Sequence, residues 1–357
     1  MYSYGILRNM FNKKNCRIPI DDFINNALYH PQKGYYIKKN PFGKNGDFIT
    51  SPNISILFSE MIAIWCIAYW QYLGCPKKFN IIELGSGNGE MASQIIAAFK
   101  NFNIFNKSYK YLILEKSEYL KKLQKEKINL KNVRWLKKID EVKDGPNIFI
   151  ANEFFDSLPV KQFFKKNNSW FERNIKKTEN NKFIFIDILT NINKLEKKIG
   201  IQIKKNQNII EYSPLTLEYL KIISKKINKN KGGLLFFDYG YFEEKMKNTL
   251  QSIKKHKPNN ILKNFSNSDI TYEINFSLIK KIARKFGLYT NGLTTQGSFL
   301  TKIGIIERAE ILAKNYNFRK KADIYYRLKR LVDKNFMGNQ FKVMFLTKKN
   351  IRFKLGF

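Results

Sequence analysis

Along residues 79–152 the apolar positions switch period several times. "FNIIEL" (79–84) is a short apolar run that ends at glycines. Residues 89–101 then carry apolar side chains at helical spacing. "KYLILE" (110–115) is a second apolar run, and residues 117–128 return to helical spacing. "VRWL" (133–136) and "NIFIAN" (147–152) are two further runs. Strand alternating with helix in this way predicts α/β architecture: a Rossmann-like parallel sheet with helices on both faces. Upstream, "IDDFINNALYHPQKGYY" (20–36) places Phe23, Ile24, Ala27 and Leu28 on one helical face and ends in a Pro/Gly turn, so residues 1–45 read as a helical N-terminal extension. "ISILFSEMIAIWCIAYWQYL" (54–73) is long enough to cross a bilayer. Glu60 lies inside it, Ser51-Pro52 start it and Gly74 and Pro76 stop it, so it reads as a buried helix and not a membrane span.

After residue 158 the pattern changes. "VKQFFKK", "SWFERNIKK" and "KFIFIDIL" are short strands joined by Asn- and Lys-rich turns, which predicts an antiparallel β-meander inserted at 159–205. Helix returns at 214–228, followed by the strand "GGLLFFDYG". A second antiparallel pair comes next, then two helices near 276–287 and 304–315, and a last strand, "FKVMFLTK", to close the sheet. The core then comprises 46–158 and 206–357.

The turn "ELGSGNGE" (83–90) carries the first chemistry. Its spacing is Gly85-x-Gly87-x-Gly89. A dinucleotide fingerprint would put its third glycine at 90, where Glu90 stands. A carboxylate there competes with a pyrophosphate on the helix N-terminus, so NAD and FAD are disfavoured. The lysine of an NTP-binding P-loop is missing as well. S-adenosyl-L-methionine carries no phosphate but has an ammonium and a sulfonium, so it suits close backbone approach with acids nearby. Glu83 is placed for the methionine amine, and Glu115, at the end of the next strand, for the ribose hydroxyls. A second acidic turn, "IFIANEFFDSLPV" (148–160), brings Asn152, Glu153 and Asp156 to a strand end, where ligands sit in such sheets. Asp156 also suits helix capping. "FFDYGY" delivers Asp238 and Tyr239, and "GDFITSP" delivers Asp47, Thr50 and Ser51 from a loop.

Composition narrows the classes. Two histidines, His30 and His256, exclude a multi-histidine metal site, and Cys16, Cys66 and Cys75 make neither a disulfide framework nor a metal-ligand pattern; no metal is expected. Residues 1–15 have no apolar core of signal-peptide length. The chain holds 65 basic and 29 acidic residues, a net charge of +36. That favours acidic partners, nucleic acid included. The basic residues are mostly lysines spread over the whole chain, as compositional drift in an AT-rich genome would produce, and no basic module interleaved with aromatics stands out.

"LYHPQKGYY", "GDFITSPNISILFSEMIAIW", "ELGSGNGEM", "LEKSEYLKKLQ", "ANEFFDSLPVKQF", "WFER", "EYSP", "GGLLFFDYGY", "TLQSIKKH" and "TQGSFLTKIGI" occur in that order. Together, over roughly residues 18–305, they resemble the MidA family, class I methyltransferases of bacteria and mitochondria that assist assembly of respiratory complex I. The resemblance implies S-adenosyl-L-methionine as cofactor and methylation of an arginine on the large hydrogenase-like subunit of complex I. It implies a cofactor site of Glu83, Gly85, Gly87, Gly89, Glu115, Asn152, Thr50 and Ser51, and catalytic acids Glu153 and Asp156 with Asp47. It departs from the family at Ser86 and Asn88 in the turn, and at Glu273 and Asn275 in "DITYEINF". Those departures keep open a catalytically inactive assembly chaperone, and the charge keeps open a nucleic-acid methyltransferase. A homodimer is compatible with the sequence. Location follows the host: bacterial cytoplasm, or the mitochondrial matrix in a eukaryote.

Overall fold

A computed structural model describes residues 17–43, 46–143, 145–180 and 182–357. The reading of residues 1–15 as leaderless, and Cys16, lie outside them. Along the chain come β1 (Arg17–Pro19), α1 (Ile20–Tyr29), α2 (Tyr35–Lys38), α3 (Ser51–Ile54), α4 (Ile56–Tyr72), β2 (Phe79–Leu84), α5 (Glu90–Phe99), β3 (Tyr109–Leu114), α6 (Glu118–Lys127), β4 (Val133–Leu136) and β5 (Asn147–Asn152). The second half holds β6 (Lys161–Lys166), β7 (Ser169–Lys177), β8 (Phe183–Thr190), β9 (Ile209–Tyr212), α7 (Pro214–Lys229), β10 (Gly232–Tyr241), β11 (Gln251–Lys254), β12 (Lys257–Asn259) and β13 (Asp269–Thr271). It ends with β14 (Ile274–Asn275), α8 (Phe276–Lys285), β15 (Tyr289–Thr295), α9 (Gln296–Lys302), α10 (Ile305–Ala313), α11 (Phe318–Val332) and β16 (Phe341–Thr347).

The central sheet runs β15-β16-β10-β5-β2-β3-β4, with β14 also on β10. β4, β3, β2, β5 and β10 are mutually parallel, and β16 is antiparallel to both its neighbours. This is the doubly wound class expected from the alternation. The closing strand is a correction: β16 does not end the sheet but lies inside it, with β15 at the edge. All seven of its residues are buried, so it needs a paired neighbour on each side.

Each face of the sheet has its own core. Ile82, Leu84, Phe149 and Phe236 face a cluster built by α1, α7 and α8. Phe79, Ile81, Ile148 and Phe237 face the opposite cluster under α4, α5, α9 and α10. The apolar stretch at 54–73 is broken at Ser55, whose hydroxyl caps α4 by accepting the Leu57 N–H at 3.3 Å. Glu60 pairs with Arg308 through two bonds of 2.9 Å. No helix among the described residues is long and apolar enough to cross a membrane.

The meander forms an antiparallel sheet of β6, β7 and β8 that also takes in β1 and β9, outside 159–205. β11, β12 and β13 make a small third sheet. Helices α9 and α11 were not expected from the sequence pattern. α11 buries only Leu328 and Leu331, too narrow an apolar face to announce itself.

Candidate active site

The carboxyl ends of the parallel strands, the N-terminal helices and the small β11–β13 sheet enclose a cavity of about 1030 Å³. Each strand end contributes through local backbone geometry. After β2 the chain turns through Gly85, Gly87 and Gly89, all at positive φ (+68°, +53° and +77°). A Cβ on Gly85 would sit 2.7 Å from the Phe154 ring, and one on Gly87 would sit 3.2 Å from the Phe42 ring. Gly85 and Gly87 line the cavity. Gly89 stands at the N-cap of α5, outside the lining, where a Cβ would sit 3.2 Å from Gln124.

Gln124 ties this turn to the next. Fully buried on α6, it donates to the Gly87 carbonyl at 2.8 Å and to Glu115 Oε2 at 3.1 Å, and accepts from the Trp135 indole at 2.8 Å. Glu115 lines the cavity just beyond β3, and its other oxygen accepts the Ser117 N–H at 2.9 Å. Burial raises its pKa. Nothing in the sequence marked Gln124 except its buried phase on an otherwise polar helix.

Beyond β5 the chain makes its sharpest turn. Glu153 adopts φ +52°, a strained conformation for a side chain of this kind. Its amide still donates to the Phe237 carbonyl at 2.9 Å, so the turn remains anchored to β10. Glu153 Oε1 accepts from the Ser51 N–H at 3.4 Å and from Asn152 Nδ2 at 3.1 Å. Asp238, fully buried on β10, accepts the amides of Phe155 at 3.0 Å, Asp156 at 3.3 Å and Tyr239 at 3.1 Å. It braces the turn from behind. Asp156 does not cap a helix: Thr271 donates to its Oδ2 at 3.1 Å, and its buried Oδ1 has no partner. Thr271 is bonded in turn to the Tyr239 hydroxyl.

Asp269, on β13, is the acid missed by the sequence reading. It accepts from the Tyr36 hydroxyl at 2.9 Å and lines the same cavity as Glu153 and Asp156. The signal was an acid opening the short alternating run "DIT". Burial, then the neighbouring Asp156, pushes Glu153 up to about 8. Burial also lifts Asp269 to about 6, and burial with Asp269 nearby raises Asp156. These carboxyls line one cavity and raise one another's pKa, so the cavity suits a cation. Lys116, Lys137 and Lys138 are the cavity's basic residues.

A family model described as "Putative S-adenosyl-L-methionine-dependent methyltransferase" matches residues 61–294. The chain belongs to this family. Its cofactor is S-adenosyl-L-methionine. Relatives named protein arginine methyltransferase NDUFAF7, mitochondrial, are 27% identical in Xenopus tropicalis, over 92% of this chain and 82% of that protein. The Homo sapiens relative of the same name is also 27% identical, over 87% and 76%. A Burkholderia thailandensis protein solved with S-adenosyl-homocysteine bound shares the fold at TM-score 0.80 and 21% identity, over 97% of this chain and 91% of that one.

The residues of the methyltransferase cavity suit such a cofactor. The glycine turn offers bare backbone and Glu115 offers a carboxylate; Asn152 does not line the cavity, and its buried Oδ1 has no partner. Other expected residues are placed differently. Glu83 does not line the cavity; it is buried on the α4 side, accepts the Tyr111 hydroxyl at 2.7 Å and is pushed by burial up to about 7. Asp47 also lies outside the lining. Its carboxylate is taken by Lys39 at 2.5 Å, the Tyr35 hydroxyl at 2.6 Å and the Lys255 amide at 3.0 Å. Burial alone would raise its pKa, but these bonds leave it lowered. Thr50 Oγ1 accepts from Asn53 at 2.7 Å, and Ser51 Oγ bonds Gln296 at 3.3 Å. Asn275 caps α8, while Glu273 lines the cavity. Among the described residues no cluster could hold a metal ion.

Proposed function

We infer that this methyltransferase modifies a protein arginine, on the large hydrogenase-like subunit of respiratory complex I. The observation that carries the reading is the group of carboxyls, half-buried Glu153 with buried Asp156 and Asp269, around a cavity in which Asp156 Oδ1 has no partner. A guanidinium is planar and cationic with donors in a fork, the complement of such a group. The relatives' name, protein arginine methyltransferase, supports the choice of arginine. Gly85, Gly87 and Glu115 would hold the cofactor, and Asn152 would support Glu153. Glu83, Gly89, Thr50 and Ser51 then support the walls, and Asp47 is a brace for the loop rather than a catalytic acid.

When bound, the cofactor would supply a methyl group on a sulfonium, with a thioether as the leaving group. The chain's own residues do the remainder. Glu153 grips and orients the guanidinium, held in place by Ser51, Asn152 and its strained backbone. Asp156 and Asp269 complete the cage, and the one of them that is ionised takes the proton the acceptor nitrogen loses. Positioning of this kind supplies most of the acceleration such a displacement needs. The compartment follows from the partner: the matrix in a eukaryote, the cytoplasm in a bacterium.

Methyl-labelled S-adenosyl-L-methionine and an extract of cells lacking this protein test the assignment. Label on an arginine of the large hydrogenase-like subunit is expected. Label in RNA would replace arginine by a nucleic-acid acceptor, and cofactor binding without any label would favour an assembly chaperone.

A further inference from the structure

β8 is an unusual edge. It pairs with β7 from end to end, and among the described residues no strand pairs with its other side. Its eight residues, "FIFIDILT", contain no lysine and no proline, the usual protections of an open edge. Its one charge, Asp187, is turned back onto the sheet, where it bonds Lys166 at 2.7 Å and lies 3.9 Å from Arg173. Ile184, Phe185 and Leu189 are left 42%, 37% and 68% exposed. Asp187 is the one guard on this edge, and a strand otherwise this apolar can pair with another chain.

What lies beside it identifies the guest. Phe185 forms one wall of a groove of about 570 Å³, whose other side is the β11–β12 hairpin with Leu250 and Ile261. Gln251 and Ile253 line this groove and also line the methylation cavity. The groove and the site therefore share β11 as a wall. An extended segment paired along β8 would lead past Gln251 and Ile253 toward Glu153, Asp156 and Asp269, whose charge suits a cationic side chain.

We propose that the β8 edge and this groove are the docking track for the protein substrate, which binds as an added β-strand and delivers its arginine into the cavity. The proposal rests on the function inferred above. Main-chain bonds to β8 would supply affinity, and the apolar groove would select the side chains flanking the arginine.

Hydrogen–deuterium exchange and kinetics with the purified large hydrogenase-like subunit test it, in the presence of S-adenosyl-homocysteine for the exchange. Amides 184–189 are expected to slow when the subunit is added. Phe185→Lys and Leu189→Lys are expected to raise KM for the subunit about tenfold or more, as loss of an apolar anchor does, with S-adenosyl-homocysteine affinity unchanged. Methylation of the subunit by the wild type, with unprotected β8 amides and an unchanged KM in both variants, would overturn the track. Protection that grows with protein concentration and without the subunit would give the edge to a second copy of this chain, which also overturns it. Protection by a subunit that is never methylated would uphold the track and sink the arginine assignment. Neither protection nor methylation would sink both.

Discussion

At the residue scale, function depends on acids that the fold holds at a disadvantage. Glu153 has burial, a like charge and a left-handed backbone against it. Glu153→Gln keeps the hydrogen-bonding shape and removes the charge, so methyl transfer should fall about a hundredfold or more, as lost positioning does, with S-adenosyl-L-methionine affinity retained; full activity would remove Glu153 from its role. Asp156 allows a check on stability. Its folded pKa is raised, so the folded chain holds a proton that the unfolded chain has already released. Its contribution is favourable below the ordinary carboxylate value of about 4 and is lost as pH rises through the folded value. Asp156→Asn should therefore raise Tm by about 3 °C or more at pH 8.5, with the gain shrinking toward pH 5, while transfer falls. Calorimetry at the two pH values decides it, and a lowered Tm at pH 8.5 would contradict the reading of a strained, ionised group. For the same reason KM for the arginine acceptor should fall between pH 6 and 8.5, as Glu153 and Asp269 ionise. The acids at the ends of "NIFIAN" and "FFDYG" were legible because apolar runs ending in carboxylates are rare without a use. Asp47, in a loop, carried no such signal, and its partners, Lys39 and Tyr35, show that its charge is already engaged.

At the element scale, the site depends on how α6 meets the β2 turn. Local pattern located both with bounds close to those observed, because an apolar strand, three glycines and a helical period are all short-range signals. It carried nothing about which residue joins them. Gln124 on α6 holds Gly87, Glu115 and Trp135 with one amide. Gln124→Leu keeps the volume but leaves the Trp135 indole and Glu115 without those bonds, so stability should drop by about 2 kcal/mol. S-adenosyl-L-methionine affinity should drop with it, because the glycine turn is no longer tied to the carboxylate. Denaturant unfolding and calorimetric titration read the two effects, and unchanged affinity in the folded variant would detach Gln124 from the cofactor. Gly87→Val is the steric counterpart: φ +53° and the Phe42 ring leave no room, so it should abolish cofactor binding. Strand neighbours were the least legible feature. The pattern of "FKVMFLT" says strand and buried, but not that β16 runs antiparallel between β10 and β15. That position depends on contacts with residues more than a hundred positions away on one side and some fifty on the other.

At the scale of the whole molecule, charge separates outside from inside. The chain carries +36, yet the cavity gathers Glu115, Glu153, Asp156 and Asp269. A polyanion is drawn to the exterior by released counterions, an attraction that weakens by about a thousandfold or more between 50 and 200 mM salt when six or more phosphates are engaged. The same polyanion meets like charge at the site. An arginine meets the reverse: repulsion from the lysine-rich exterior at long range, screened within about 8 Å at physiological salt, and attraction once it reaches the carboxylates. Two outcomes follow. RNA should bind in low salt and remain unlabelled by methyl transfer. Transfer to the protein substrate should persist, or rise, as salt is brought from about 50 to 200 mM, because screening removes the exterior repulsion and leaves the buried attraction nearly intact. Filter binding and labelling along one salt series measure both. A labelling rate that collapses in parallel with RNA affinity would mean that the basic surface, and not the carboxylate cage, selects the substrate.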